Sequence, residues 1–583
     1  MLPWRTAPLV LWDGDAPSLA AARAALTAQG VRLRRCSGRI PGRAELLLLC
    51  AGSDLPQRLA QLRHATAGRR RPLRVVVLRE PGATAGEADD MTDPAAETEA
   101  PAGVLRLEYM DPLRTAARVM FARWPLHRSM DPPAGQVAHL LLAGFGPFAQ
   151  ASLLHALRVG QYAHEPPVVT LAAETPERWR DWIAAQHPQA HACARLRYTA
   201  LPRLDGQGAP PVTMIAICDA GADAALSLAR DLGAQAAEQG ASPLLVLATD
   251  EAWPKAPVAD WDGQLVPLQP LRIAYSREVL LEGRDDALAE VIHRHYRDTS
   301  AAQGREPAAA PSGRPWAQLA TSYKDANRHQ ADHLWAKLAV TDCRAVPEEL
   351  VESFAFAPTE VERLAIIEHR RWAVERWLDG WTYGPERDNA RKRHPQLIPY
   401  NELSDAMQDL DRFAVRLVPA LLARSGLGVV RRLIVGVRSD DVPAQPRPSR
   451  RATRAVLGRL AARYPDRGLT LAVDLTDPSA RLVAAEAAAR HGAAVFVLLS
   501  GPLPSLLSAQ SAAHRLGMLR LLAMAERRIQ LPDQPALASW LGRRAEILLA
   551  LGDEAALPSD DAHLPVKQVR LSGAGDARWN FAY

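Results

Sequence analysis

The sequence predicts a multidomain α/β protein: tandem Rossmann-like parallel sheets, a small mostly helical module, then a further Rossmann-like sheet. Three observations carry that prediction. Short apolar runs alternate with helical stretches at both ends of the chain, as in strands joined by crossover helices. The 583 residues exceed what one core can hold and, at about 150 residues per domain, point to roughly three to five domains. Two solvated interruptions divide the chain: the acidic, proline-containing residues 81–103, read as an insertion, and residues 299–315, read as a linker.

In the first unit, residues 1–130, the runs Leu9 to Trp12, Leu46 to Leu49 and Val75 to Leu78 read as strands, and Ala16 to Gln29 as a helix. The opening residues lack a long apolar core and a cleavage site, so they read as a first strand rather than a signal peptide. WDGDAPS follows that strand in place of a glycine-rich phosphate loop, which marks the unit as a degenerate copy. Asp111 to Arg128 reads as a connecting helix.

The second unit, residues 135–298, carries a clearer signal. His139 to Leu142 is a predicted strand and Gln150 to Val159 a helix, joined by a GxGxxA turn through Gly144, Gly146 and Ala149. Glycines there permit a tight turn and close approach of a diphosphate, whose charge the helix N-terminus meets. The second strand, Val168 to Ala172, leads to Glu174, the candidate acceptor for ribose hydroxyls. Glu174 lies farther from Gly144 than the usual spacing of about 20 residues, and the insertion Gln161 to Pro167 accounts for the excess. Strands Met214 to Cys218 and Leu244 to Leu247 flank the helix Ala222 to Ala237. The GFG turn and the segment ICDAGADAALSLA resemble the TrkA-N nucleotide-binding domain. That resemblance implies NAD or another adenine nucleotide as cofactor. Two departures qualify it: the family's acidic residue aligns nearer Ala173, and Pro147 removes an amide donor.

The helical module, residues 316–424, holds the densest signal, EHRRWAVERWLDGWTYGPERDNARKRHPQLIPY from Glu368 to Tyr400. On a helix, Ile366, Ile367, Ala373, Val374, Trp377 and Leu378 share one stripe, which predicts one core-facing side. Arg370 interrupts that stripe and needs a carboxylate or an anionic ligand. Trp372 falls on the other face with Glu368, Glu375 and Asp379, either offered to solvent or filling a second buried face beside Val361 and Ala365. Gly380 ends the helix, and Gly384-Pro385 turns the chain into the basic run Arg387 to His394. GWTYGPERD, HPQLIPY, the charged segment Asp409 to Arg412 and the lead-in YKDANRHQADHLWAKL, with Asn327, Arg328, Ala331 and Asp332, resemble the RyR domain, the repeat of ryanodine receptors and many bacterial proteins. The resemblance implies binding, of nucleotide-derived ligands in bacterial members, and no chemistry. On that reading Trp372, Trp381 and Tyr383 stack on a base while Arg370, Arg387 and His394 meet phosphate.

The last unit, residues 426–583, alternates again: strands Leu433 to Val437, Leu469 to Val473 and Ala494 to Leu499, with helices Ala452 to Tyr464 and Ser479 to His491. The line LTLAVDLTDPSARLVAAEAAARHGAAVFVLLSGPLP resembles the SLOG superfamily, although the GGxGT loop of active members is absent and only Ser572-Gly-Ala-Gly575 is similar to it.

Composition excludes several classes. The apolar fraction of 48% and charged fraction of 23% suit a globular protein, and no run approaches the roughly 18 apolar residues of a membrane span. A cytoplasmic location is therefore expected. Five scattered cysteines without a CxxC argue against a disulfide framework or zinc, so no metal is expected. A net charge of +5 gives little support to nucleic-acid binding, and the basic stretch Arg431 to Arg454 is broken by acids and prolines into a solvated loop. His329 and His333, four apart on a helix, read as a solvated face in preference to metal ligands. No metalloprotease, P-loop, nucleophile-elbow or kinase motif occurs. The expectation is a cytoplasmic sensor or regulatory protein for a small nucleotide-like ligand, working with a separately encoded membrane or effector protein or as a homo-oligomer. A cation-transporter subunit, an NAD-dependent oxidoreductase and an empty scaffold are the alternatives.

Overall fold

The computed structural model describes residues 9–36, 40–69, 71–82, 105–204, 208–251, 265–283, 286–302, 311–439, 450–551, 567–571 and 577–580. Most of the acidic insertion, the middle of the 299–315 linker, the centre of the Arg431 to Arg454 loop and Ser572-Gly-Ala-Gly575 lie outside the described residues. The expected α/β architecture is present, built among the described residues on three large sheets and one two-stranded sheet.

The first sheet comprises β1 (Leu9–Trp12), β2 (Arg32–Arg35), β3 (Ala44–Cys50), β4 (Leu73–Leu78) and β5 (Leu105–Met110), all parallel in the order β2-β1-β3-β4-β5. Its central strands are continuous apolar runs because helices cover both faces. The arginine-rich β2 sits at an edge, where polar side chains reach water, and so carries no apolar signature.

The second sheet comprises β6 (His139–Ala143), β7 (Val168–Ala173), β8 (Arg195–Ala200), β9 (Met214–Cys218), β10 (Leu244–Ala248) and β11 (Leu265–Leu268). Read from β8, the order β8-β7-β6-β9-β10-β11 is the 3-2-1-4-5-6 arrangement of a dinucleotide-binding sheet, with its switch point between β6 and β9. Every pairing is parallel. Helix Pro147–Val159 follows β6 and helix Ala222–Glu238 follows β9.

Helix Thr321–Val340 and β12 (Cys343–Pro347) lead to the long helix Pro358–Leu378, which is followed by the two-residue strands β13 (Thr382–Tyr383) and β14 (Arg393–His394) and by helix Asp405–Arg416. The third sheet is built on β15 (Leu427–Ser439), with β16 (Arg467–Asp474), β17 (Ala494–Leu499) and β18 (Arg527–Gln530) on one side. On the other side are β19 (Ile547–Leu551), β20 (Lys567–Leu571) and β21 (Ala577–Asn580). At 13 residues, β15 is long enough to serve twice along one edge. Its first residues pair antiparallel with β12, Cys343 opposite Arg431, and its last residues pair parallel with β19, Val435 opposite Ile547.

The units share interior surface. One buried apolar cluster runs from Val10 in β1 through Leu140 in β6 to Leu364 and Val429. The C-terminal sheet has separate clusters on its two faces. That sheet is joined to the rest by polar anchors: the Trp540 indole N–H donates to Asp131 Oδ2 at 2.8 Å, and buried Arg527 donates to Asp342 Oδ1 at 3.2 Å and to the Ala339 carbonyl at 2.9 Å. Among the described residues no helix is long and apolar enough to cross a membrane, and no group of three or more metal-ligating side chains is gathered. Cys50, Cys193, Cys218 and Cys343 are buried free thiols.

Candidate ligand-binding sites

The helix Pro358–Leu378 buries more than the one stripe expected. Glu368 and Glu375, placed by periodicity on a polar face, are interior groups. Glu368 accepts the Lys337 ammonium at 2.7 Å and the Arg371 guanidinium at 2.8 Å. Glu375 lies 2.8 Å from His329 Nδ1 and 3.5 Å from Arg158 Nε. Burial alone would push both carboxyls up, but Arg371 and Lys337 around Glu368, and His329 and Arg158 around Glu375, hold them far below the usual range. Burial also lowers the Lys337 ammonium; with two cations sharing the Glu368 carboxylate, the ionised arrangement is the consistent one. The expected solvated face of His329 and His333 is corrected too: His333 is fully buried, with Nε2 2.9 Å from the Gln161 carbonyl. Helix Thr321–Val340 fills the gap between units, so its charged residues face partners instead of water.

The predicted ligand residues divide into three groups. Trp372, Trp381 and His394 come together. The His394 ring lies 4.9 Å from Trp372 and 6.0 Å from Trp381, both edge-on, and His369 stacks on Trp372 at 5.7 Å. Trp381 is 7% exposed and donates its indole N–H to Asp379 Oδ2 at 2.8 Å, so it is a core ring. His369 is fixed between Asp411 Oδ2 at 3.1 Å and the Ile398 carbonyl at 2.9 Å. Burial, with Arg387 and Arg376 nearby, keeps His394 below the ordinary histidine range.

Tyr383 and Arg387 form a second group, on the surface. The parallel pairing of β13 with β14 sets Tyr383 opposite His394 and leaves its ring 58% exposed. The loop between the strands is closed by reciprocal backbone bonds between Asp388 and Arg393, at 3.0 and 2.8 Å. Lys392, at φ 50°, donates to the Asp379 carbonyl at 2.8 Å. This fold of the loop lines an open cleft of about 540 Å³ with Pro385, Glu386, Arg387, Asp388, Asn389, Arg391 and Arg393. Sequence reasoning missed Arg391 and Arg393 as individuals, although both lie in the basic run it flagged.

Arg370 belongs to neither group. Burial lowers its guanidinium, and the Glu165 carboxylate of the second unit acts in the opposite direction. One and two turns earlier on the same helix, Ile366 and Arg363 line a small cavity of about 230 Å³ together with Gly135, His164 and Glu165.

The GxGxxA turn sits at the switch point of the second sheet, as its motif requires. Gly144 has φ +116°, and a Cβ there would lie 2.1 Å from the Cys218 carbonyl oxygen, so only glycine fits. Ala149 is buried in the first turn of the Pro147 helix, and Glu174 is exposed one residue beyond β7. Asp219, unremarked in the sequence, follows β9 in the left-handed region at φ 58°. Its carboxylate accepts from Phe148 N at 3.3 Å and Ala149 N at 2.9 Å, inside the turn. Burial raises its pKa, against the pull of those two amides. The signal available in the sequence was an acid at the carboxyl end of the strand across the switch point.

The closed aromatic cluster, the ordered basic loop and the buried carboxylates of the preceding helix all fall within one stretch of chain. Residues 357–430 match the family model of the RyR domain, so the chain carries an RyR domain that begins before the Pro358 helix and ends within β15.

Proposed function

We propose that this protein binds a nucleotide-derived anion on the surface of its RyR domain and acts as a sensor or regulatory assembly. The observation that supports this most is the open cleft in the loop 384–393, where Arg387, Arg391 and Arg393 outnumber the two acids Glu386 and Asp388, with the exposed Tyr383 just before the loop in sequence. Guanidinium groups recognise phosphate oxygens in a planar two-bond geometry, and an exposed phenol ring offers a base a stacking face. On this reading Arg387, Arg391 and Arg393 take the phosphates and Tyr383 the base, while Trp372, Trp381 and His394 brace the loop from beneath. The TrkA-N-like second unit and the SLOG-like C-terminal unit serve as the framework the sensor reports through.

The test is calorimetric titration of the full chain with NAD, ATP, ADP-ribose and cyclic nucleotides, beside mass spectrometry of ligands released from the purified protein. At least one nucleotide should bind, and Arg387→Ala with Arg391→Ala should weaken it by about 100-fold, since a hydrogen bond to a charged group contributes about 1.5 to 3 kcal/mol. Tyr383→Ala should weaken it about fivefold or more, the lower end of the stacking range. Unchanged affinity in the double arginine variant would refute the placement.

A further inference from the structure

Three helices at the carboxyl edge of the second sheet begin on carboxylates supplied by the chain itself. Glu251 accepts from Ala222 N at 2.8 Å at the start of the Ala222 helix, and Asp250 accepts from Leu271 N at 2.9 Å. Asp219 does the same for the Pro147 helix, and there it stands where a Rossmann fold seats its diphosphate.

The turn is shaped around this side chain. A Cβ on Gly146 would lie 2.5 Å from Asp219 Cγ, so glycine at 146 makes room for the Asp219 carboxyl group. Pro147 has already removed one donor, and the amides of Phe148 and Ala149 are taken. The opposite wall is fixed as well: the Trp179 indole N–H donates to the Gly144 carbonyl at 3.1 Å, and the Phe145 ring packs edge-on against Trp179 at 4.9 Å. A helix N-terminus carries about half a positive charge, enough to favour one anion there, and a second would meet the first at close range.

We propose that Asp219 is an internal anion that fills the diphosphate seat of the second unit and excludes dinucleotides from it. It is the specificity-determining residue of that crevice. With Asp219 in place, the crevice admits groups without negative charge at the turn; with its charge removed, the turn accepts a diphosphate. This deepens the reading above, since it leaves the RyR cleft as the place where an anionic nucleotide is read, but it rests on different residues.

The two ideas are separated by working in the Arg387→Ala, Arg391→Ala background, which removes the proposed RyR site. ADP-ribose and inorganic pyrophosphate are titrated calorimetrically into that full-length protein with Asp219 intact, then with Asp219→Ala and Asp219→Asn, with circular dichroism and melting temperature confirming the fold. With Asp219 intact, no binding is expected up to millimolar probe; each Asp219 variant should gain at least tenfold in affinity for both probes, at one site per chain. Asparagine keeps an acceptor for one amide and loses the charge, so it decides the matter should alanine destabilise the turn. Folded Asp219→Asn protein that binds neither probe more tightly would overturn the proposal. So would ADP-ribose binding with Asp219 intact that Gly146→Ala abolishes. Failure of the RyR reading shows instead as nucleotide affinity indifferent to Arg387 and Arg391, a result these titrations do not share.

Discussion

Trp381 and Tyr383 are two residues apart and carry different tasks. Trp381 is enclosed and its N–H is satisfied by Asp379, whereas Tyr383 holds most of its ring in solvent. Trp381→Ala should therefore cost about 3 to 5 kcal/mol of stability in urea unfolding, while Tyr383→Ala should stay within about 0.5 kcal/mol. An equal loss from both would mean that the loop is held by Tyr383 as much as by the core. Glu368 is a sharper case, because two buried cations converge on its carboxylate. Glu368→Gln removes the carboxylate bonded to Lys337 and Arg371 and should cost about 3 to 5 kcal/mol, the range for breaking a buried ion pair from one side. A loss below 1 kcal/mol would show that these cations find other partners. The prominence of these residue types was legible in the sequence, but which side each faces was not. Trp381 and Arg387 are equally prominent in the sequence, and only the β13–β14 pairing and the Asp388–Arg393 loop closure send one inward and the other outward.

At the level of elements, the strands were the legible part. Central strands such as β4 and β17 are covered on both faces, so they appear as unbroken apolar runs that pattern alone finds. The Pro358 helix was found, but its polar side was misassigned, because periodicity presumes one dry face and one wet one. Here the second face is dry too and is neutralised by His329, Lys337 and Arg158 from other segments, which are distant in sequence. The strand β12 was not foreseen either, since its pairing with β15 is a long-range event. The start of β15 is closely covered by the chain just after β12: a Cβ on Gly428 would lie 2.4 Å from Val351 Cγ2. Gly428→Ala should cost about 1 to 3 kcal/mol through overpacking. Hydrogen exchange should show the amides of β12 opening before those of β16; uniform protection across the sheet would contradict this.

Across the whole molecule, buried titratable groups set the response to acid. Burial lowers His139 and His187 to about 4 and His155 to about 3. Their folded values lie below the ordinary 6.5, so between those limits the unfolded chain binds protons that the folded chain does not. Stability is then complete above about pH 6.5 and declines as pH falls toward 4. Asp286 is held at about 2 by Arg328 and Arg118 against the opposing effect of burial, so its contribution persists above its unfolded value near 4 and is lost as pH falls toward 2. Melting temperature should therefore step down in two stages below neutrality, and His155→Leu should flatten the first; an unaltered profile would remove His155 from the account. The shared strand β15 sets the mechanical character of the protein. Because its first residues, Leu427 to Val430, lie within the RyR match and its later residues pair with β16 and β19, one continuous strand splices the RyR domain to the C-terminal sheet, and β12, which precedes the match, pairs with that same first part. Neither can swing about a hinge at their junction without peeling a ladder. A ligand held on the RyR loop, as proposed, would act on a stiff frame and send a load along the backbone rather than reposition a tethered arm.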